Sequence, residues 1–424
     1  MADGTSIDDL DLGELTGPCV GATQWPAFNG DEFRASFGED LNRTLDLGTW
    51  RTDVDLAEEY CRLEMEVRLA VETESEYQRH IRHEIFPRLQ WGTIPGCGVY
   101  EIPIRDIETV HRGLLFNGGV EACDGTNQDH DTLPLTIHQI GVSLVSYAGD
   151  RGTWHQRLFR RDLRLSNGDP VEEVLELLAR RGRRAAVNHA SRRDALSELF
   201  QRALMSYAER AILLRRSNAV WRMGHGSPAP LELLAGGGLV ELMVQATRII
   251  RELVEQHQKF VFIASEPKER ALITIGQALR PLEYAIVQTL EDRIAHALDT
   301  VHLGDSGSTD MNWDGERLTP QDWLLRFRDQ VARRVVVGVY RASPLAPPQV
   351  FYAHVDHADL AVRIAVADSV LQQERGFPLL IDLADRVCRS IYGGGRLQDL
   401  TSAAYASSGV PWRYLSERAT RGLR

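Results

Sequence analysis

The apolar residues between positions 53 and 88 follow the spacing of a helix. Leu56, Tyr60 and Leu63 recur every three or four residues among charged side chains, which predicts one long helix that Pro87 ends. Such a helix is too long and too exposed to be a simple core element. We therefore expect its apolar side to pack against a partner or against a second copy of the chain.

From residue 118 onward the pattern changes to extended segments. Residues 118–131 read as a strand that runs into a polar turn, and residues 135–149 and 153–164 read as two further strands. Short turns separate them, which predicts an antiparallel three-stranded meander. The elements predicted after the meander are, in order, helices at 170–181 and 190–216, a strand at 218–226, a helix at 239–257 and a strand at 259–266. This order is that of an RNase H-like core, in which helices flank a mixed sheet.

The chain beyond residue 266 adds further elements to this core. A helix is predicted at 281–299, strands at 335–340, 349–355 and 360–366, and helices near the end. The predicted regions are an acidic, flexible segment at 1–50, a helical region at 51–117, the RNase H-like core at 118–300, and strands and helices at 301–424 that complete the domain. The predicted fold class is therefore α/β, with a long N-terminal helix and C-terminal α/β additions.

The composition is that of a globular protein. Of the 424 residues, 43% are hydrophobic and 25% are charged, which excludes a fibrous or wholly disordered chain. We find no apolar stretch of membrane-spanning length, and the acidic start lacks the basic and apolar regions of a signal peptide. The five cysteines form no CxxC pair, which argues against a zinc ribbon or a disulfide framework. We expect a cytoplasmic protein without a membrane partner.

The net charge of −12 is unevenly distributed. Residues 1–50 contain ten acidic residues and two arginines, so this segment carries much of the negative charge. All but two of the 48 basic residues are arginine, a side chain that can bind phosphate through two parallel hydrogen bonds. The charge balance neither excludes nor establishes a DNA partner.

Three polar residues lie where an RNase H-like core would bring them together. Asp124 ends the first predicted strand, Glu209 lies on an apolar helix, and His225 ends the fourth predicted strand. Taken singly, each has an ordinary interpretation as a turn aspartate, a helix-edge glutamate and a turn histidine. Taken together, they would converge on one edge of the sheet, where such side chains can hold Mg²⁺ or Mn²⁺. Two such ions can activate water for phosphodiester cleavage.

These residues lie in segments that resemble the NurA nucleases. The resemblance covers roughly residues 53–420. It is carried by ACDGTN at 122–127, YAERAILL at 207–214, MGHGSPAPLELL at 223–234, FIASEPK at 262–268, the predicted strand pair QVFYAHVDHADLAVRIAV and GFPLLIDLADRVC at 376–388. Members of that family have an RNase H-like fold, degrade DNA with Mn²⁺ or Mg²⁺, and form dimers. They act with HerA, a hexameric DNA-translocating ATPase, in DNA end resection and in anti-phage defence.

The resemblance assigns site residues one by one. Asp124 matches the family's first metal-binding aspartate, and Glu209 matches its helix glutamate. His225 stands sixteen residues later, where the family has a second aspartate. The family's C-terminal tyrosine and histidine, eight residues apart, correspond here to Phe377 and Asp385. Two ligand positions have thus exchanged aspartate and histidine, and Phe377 lacks the tyrosine hydroxyl. The resemblance implies a metal-binding catalytic site of Asp124, Glu209, His225 and Asp385.

Basic residues outside this cluster are candidates for DNA binding. A basic run is usually a solvated surface, but in a nuclease it can bind phosphates. The candidates are Lys268, Arg160, Arg161, Arg192 and Arg193. The segment HVDH at 354–357 looks like a metal cluster but lies between two predicted strands, so we interpret it as a hairpin turn. The triple glycines at 236–238 and 393–395 lack the Lys-Ser/Thr of a P-loop, so ATP hydrolysis is not expected.

Three hypotheses about function follow. The leading one is a Mn²⁺- or Mg²⁺-dependent DNA nuclease that forms a homodimer and acts with a HerA-like ATPase. The alternative, motivated by His225 and Phe377, is a catalytically reduced scaffold that clamps DNA and docks on a HerA-like hexamer without cutting. The third is an RNase H-like nuclease that acts on RNA.

Overall fold

A computed structural model describes most of the chain in two units. The described residues are 30–50, 56–90, 94–149, 152–162, 169, 171, 172, 175, 198–265, 269–300 and 309–411. Contacts divide the chain into a first unit, residues 1–74, and a second unit, residues 75–424. The predicted boundaries at residues 117 and 300 both fall inside the second unit.

The first unit is helical in its described part. It contains α1 (Gly30–Phe37), α2 (Leu41–Leu45) and most of α3 (Leu56–His80), and none of these helices has a buried residue. The segment at 30–50, predicted as part of a flexible region, therefore forms two short helices. The long helix predicted at 53–88 is confirmed by α3, and it continues through a π-helical turn into α4 (Phe86–Leu89). Pro87 lies in the first turn of α4 instead of ending the helix, a position where proline is tolerated.

The second unit is built on one large mixed sheet. Its described strands are β1 (Gly98–Glu101), β2 (Val120–Asp131), β3 (Leu135–Val145), β4 (Gly152–Asp162), β5 (Trp221–His225), β6 (Phe260–Ala264), β7 (Glu283–Thr289), β10 (Val335–Arg341) and β11 (Gln349–His354). A separate hairpin is formed by β8 (Asn312–Trp313) and β9 (Glu316–Arg317). The strand order is β1-β7-β10-β11-β6-β5-β2-β3-β4. Strand β5 is parallel to β2 and to β6, and the other pairs are antiparallel.

Helices cover both faces of this sheet. They are α5 (Ile104–Val110), α6 (Glu198–Arg216), α7 (Leu231–Leu234), α8 (Val240–Glu252), α9 (Arg270–Gln277), α10 (Glu291–Thr300), α11 (Pro320–Gln330), α12 (Ala358–Ser369), α13 (Leu379–Tyr392) and α14 (Gly394–Ser407). The mixed sheet flanked by helices confirms the predicted fold class. The five strands β4-β3-β2-β5-β6 have the order of an RNase H-like core, and β11, β10, β7 and β1 extend it on one side.

The two faces of the sheet bury separate cores. Along β6, Phe260 and Phe262 belong to one core with α6 and α8, whereas Val261 and Ile263 belong to another with α12 and α13. Successive side chains of a strand point to opposite faces, so the two cores lie on opposite sides of the sheet. We refer below to the α6 face and the α13 face.

Two segments were assigned wrongly from the sequence. Residues 360–366 were predicted as a strand but form part of α12, whose Val362, Ile364 and Val366 are all fully buried. Within α12 only Asp359, Leu360 and Arg363 are not buried, so the helix lacks a broad polar face and its sequence resembles a buried strand. Residues 281–299 were predicted as one helix but form β7 followed by α10, because β7 is paired between β1 and β10.

The first error also changes the interpretation of HVDH. His354 ends β11, and residues 355–357 form a 3₁₀ turn that leads into α12, so the predicted hairpin turn is wrong. Across the described parts of the chain, no helix combines the length and the apolar character needed to cross a membrane.

Candidate active site

The carboxyl ends of three parallel strands meet where β2 separates from β5. The last paired residues are Cys123 and Gly224, so Asp124 and His225 follow side by side at this point. Ser265 comes directly after β6, the next strand. Asp124 was predicted to end its strand, but β2 continues beyond it, paired with β3 alone. The carboxyl ends of parallel strands are the usual place for a ligand in an α/β sheet.

His225 joins the side chains of Asp124 and Ser265. Its Nδ1 lies 3.5 Å from Oδ1 of Asp124, and its Nε2 lies 2.9 Å from Oγ of Ser265. Burial lowers the pKa of His225, but the hydrogen bond to Asp124 and the charges of Asp124 and Glu209 outweigh it, so the pKa is raised. Both nitrogens of this imidazole therefore have partners, and its protonated form is favoured.

Glu209 reaches the site from the α6 face through the space beside Gly125. A Cβ atom at Gly125 would lie 2.6 Å from Oε1 of Glu209, so a side chain there would collide with the carboxylate. Burial and the charge of Asp124 raise the pKa of Glu209 and Arg210 lowers it, so that the pKa lies at about 7. Glu209 is 8% exposed, so the predicted site residue is a buried acid and not a helix-edge glutamate.

Arg210 is a site residue that the sequence reasoning missed. Its guanidinium donates to the carboxylate of Glu209 and to the backbone carbonyls of Ser206, His225 and Ser227. It thereby ties α6 to the turn that follows β5. The one signal in the sequence was an arginine directly after the acid on an apolar helix. Ser265 was also missed, because a single serine after a buried strand has no distinctive pattern.

Asp385 approaches from the α13 face. Burial and the charge of Asp124 raise the pKa of Asp385, while Arg389, whose Nε lies 2.7 Å away, and His225 lower it. Cys388, one turn further along α13, lies among the same acids. Burial and the charges of Asp124, Glu209 and Asp385 raise the pKa of this thiol to about 12. The structure thus brings together the four predicted site residues, whose roles stay predictions.

Phe377 forms an apolar wall beside this cluster. It is 5% exposed, and its ring centroid lies 5.6 Å from that of His225, with the rings at 72°. The residue that stands where the NurA pattern has a tyrosine thus packs edge-on against the imidazole and belongs to the core of the α13 face.

The donor set suits a hard divalent cation. Carboxylates and imidazole bind Mn²⁺ and Mg²⁺, and three acids held this close favour a positive charge between them. In the part of the chain that the structure describes, however, no three His, Cys, Asp or Glu side chains have the arrangement of a metal site. His225 is held by Asp124 and Ser265, and Glu209 is held by Arg210. A cation would have to replace one or more of these contacts.

The predicted DNA-binding residues are separate from the cluster. Arg160 and Arg161 lie on β4, which is separated from β5 by strands β3 and β2, and both side chains are exposed. They are consecutive in the strand and therefore point to opposite faces. Lys268, Arg192 and Arg193 lie outside the described residues.

The fold and the site define an α/β protein with an RNase H-like core and an acidic cluster where its parallel strands end. No protein-family model matches the sequence, and no curated protein matches it. The NurA nuclease from Sulfolobus solfataricus is similar in structure, with a TM-score of 0.45 and 8% identity over 86% of this chain and 100% of that one.

Two further solved structures are of NurA. A NurA structure with manganese has a TM-score of 0.36 and 9% identity, over 72% of this chain and 96% of that one. Another NurA structure has a TM-score of 0.39 and 9% identity, over 81% of this chain and 97% of that one. They belong to the family that the sequence motifs resemble. The functional argument below rests on the side chains of the site.

Proposed function

We propose that this protein is a Mn²⁺- or Mg²⁺-dependent DNA nuclease that hydrolyses phosphodiester bonds. The observation that carries the proposal is the meeting of Asp124, Glu209, His225 and Asp385, which come from four separate elements, at the ends of parallel strands. Burial and the charge of Asp124 raise the pKa of Glu209 and of Asp385, and a bound cation would favour the ionised form of both carboxyls.

Each residue near the cluster has a part in this proposal. Asp124, Glu209, His225 and Asp385 would hold the metal. The bound metal supplies a water nucleophile at neutral pH and neutralises the charge that develops on the phosphate. Ser265 holds Nε2 of His225, which keeps Nδ1 directed towards Asp124. We further propose that the predicted basic residues position the strand. These are Lys268, Arg160, Arg161, Arg192 and Arg193.

The direct test is a cleavage assay on labelled single- and double-stranded DNA with Mn²⁺, with Mg²⁺ and with a chelator. We expect cleavage with metal, none with the chelator, and none from Asp124→Asn. The matched control is Asp131→Asn, which makes the same change at an exposed position of the same strand. If Asp124→Asn cuts as well as the unchanged protein, the proposal is wrong.

A catalytically reduced, DNA-clamping scaffold is the second candidate. Its motivation is that His225 and Glu209 are held by Ser265 and Arg210, and that Phe377 has no hydroxyl. Calorimetric titration with Mn²⁺ distinguishes the two candidates. Tight binding that Asp124→Asn abolishes supports the nuclease, whereas absence of binding supports the scaffold.

The oligomeric state, the partner protein, the biological process and the cellular location are also proposals. We propose a homodimer that acts with a HerA-like hexameric ATPase in DNA end processing or anti-phage defence, in the cytoplasm. On α3, the exposed Tyr60, Leu63 and Val67 lie on one side of the helix and supply an apolar surface for an assembly of this type. Light scattering tests the dimer, co-purification with a HerA-like ATPase tests the partner, and competition between DNA and RNA tests the third hypothesis.

A further inference from the structure

A groove of ≈ 740 Å³ lies between the β3–β4 ribbon and helices α13 and α14. Its volume is that of a pocket for a small ligand or for part of a chain. It has an apolar floor with basic side chains at its rim. The lining residues that matter here are Ile137, Leu158, Arg160, Tyr392, Arg396 and Leu397.

The groove lies on the same face of the sheet as Asp124. Asp124 is paired with Ser143, and Ile137 is paired with Arg160. Ser143 and Ile137 are six residues apart on β3, so their side chains point to the same face, about 20 Å apart. That distance is about six phosphate steps of one B-form DNA strand. The acidic cluster and the groove could therefore contact one DNA strand at the same time.

Helix α13 connects the two places. Near the cluster, Ser143 Oγ donates to the carbonyl of Ala384, 2.7 Å away, next to Asp385. Near the groove, Tyr392 packs over Gly141, where a Cβ atom would lie 2.2 Å from the tyrosine ring. The same helix thus presents Asp385, near its middle, to the cluster and Tyr392, its last residue, to the groove.

The chemistry of the lining suits nucleotides. Arg160 and Arg396 are exposed, and neither side chain has an ion pair or hydrogen bond with the described part of the chain. Leu397 and Tyr392 are 7% and 6% exposed and form the apolar floor, and Leu158 at the rim is 50% exposed. Asp399 is the acidic residue of the lining and can accept from a base amino group. Single-stranded DNA is bound in this way, by basic groups along its backbone and flat apolar surfaces for its bases.

We propose that this groove binds a single DNA strand a few nucleotides from the bond that is cut at the Asp124 cluster. Arg160 and Arg396 contact its phosphates, and the apolar floor receives its bases. The inference rests on the proposed function in one respect, that the substrate is DNA. It does not require that the protein cuts.

The test measures binding of a fluorescent twelve-nucleotide oligo(dT) strand by anisotropy, with a chelator present so that no cleavage occurs. We expect Arg160→Ala and Arg396→Ala each to weaken binding by roughly threefold to tenfold, and to reduce the slope of log affinity against log salt by about 0.7. Leu158→Glu should weaken binding to a similar degree, because it places a negative charge beside the phosphates.

The matched control is Arg157→Ala, which removes an exposed arginine from the opposite face of the same strand. The inference is overturned if the groove variants and this control have the same effect, or if the unchanged protein does not bind the strand. It is also overturned if thymidine monophosphate competes as well per mole as the twelve-nucleotide strand, since the groove would then hold a free nucleotide. A different result would contradict only the nuclease proposal: the DNA strand binds in the groove, but neither Mn²⁺ nor Mg²⁺ supports its cleavage.

Discussion

Glu209 and Asp385 approach Asp124 from opposite faces of the sheet, and their surroundings differ. The side chain of Glu209 is 10% exposed and its partner Arg210 is 3% exposed, whereas Asp385 is 27% exposed and its partner Arg389 is 70% exposed. On the α6 face the acid is fixed by a buried network. On the α13 face it is paired with a surface arginine one helical turn away.

This difference indicates that the two faces of the sheet contribute differently to the site. The α6 face supplies a rigid acid whose position depends on the core, and the α13 face supplies an acid that water and substrate can reach. The groove proposed above for a DNA strand lies on the α13 face. We therefore expect changes on the α6 face to affect stability, and changes on the α13 face to affect binding.

The largest effect is expected from Arg210→Met. It should lower the free energy of unfolding at pH 8 by about 3–5 kcal/mol, because ionised Glu209 is left buried without its partner. Urea unfolding measures this change, and the double variant with Glu209→Gln should recover part of the loss. A loss below about 1 kcal/mol would contradict the buried network.

A pH dependence should come from Glu209. Its native pKa of about 7 exceeds the ordinary 4.5, so the native state binds this proton more tightly, and stability falls as the pH rises from about 4.5 to about 7. His225, whose pKa is also raised, acts in the same direction: its stabilisation is present below the ordinary 6.5 and is lost as the pH rises through its higher native pKa.

Glu209→Gln should therefore reduce the fall in unfolding free energy between pH 5 and pH 8 by on the order of 2–3 kcal/mol. Urea unfolding at both pH values measures it. A variant with the same slope as the unchanged protein would show that Glu209 is not a buried acid of raised pKa.

Ser265→Ala should weaken Mn²⁺ binding about tenfold to a hundredfold, since the histidine ring loses the group that orients it. Ser265→Thr keeps a hydroxyl and should restore most of the affinity. Ser227→Ala is the matched control, because the Ser227 hydroxyl is buried without a hydrogen-bond partner in the described part of the chain. Calorimetry reports the affinities, and equal losses in Ser265→Ala and Ser227→Ala would rule out an orienting role.

The smallest effect is expected from Arg389→Ala. An exposed ion pair between residues four apart on a helix contributes about 0–1 kcal/mol, so urea unfolding should change little. A loss comparable to that of Arg210→Met would remove the contrast between the two faces.

The sequence was sufficient for the elements that carry local patterns. The strands of the meander, the long helix and the order of the RNase H-like core follow from periodicity and turn residues. Helix α12 and strand β7 could not be predicted in the same way. The first has only a narrow polar side, formed by Asp359 and Arg363, and the second is a strand because it pairs with β1 and β10, which are distant in the sequence.

The site residues, too, could be predicted only in part from the sequence. Asp124, Glu209 and His225 could be proposed because the predicted order of strands and helices places them together, and Asp385 because of the resemblance. The burial of Glu209 depends on Gly125 and on the packing of α6 against β2 and β3, which no local pattern records. The groove joins Arg160 to Arg396, which are more than two hundred positions apart, so a sequence pattern could not indicate it.

The absence of a side chain at Gly125 affects the electrostatics of both faces of the sheet. A β-sheet normally separates polar groups on its two faces, because its backbone and the side chains that project from each face lie between them. Here the absence of a Cβ atom at Gly125 lets the Glu209 carboxylate on the α6 face come close enough to interact with the charges of Asp124 and His225. Protonation or cation binding at Asp124 would therefore change the charge that Glu209 meets, and the absence of a side chain at position 125 makes this close approach possible.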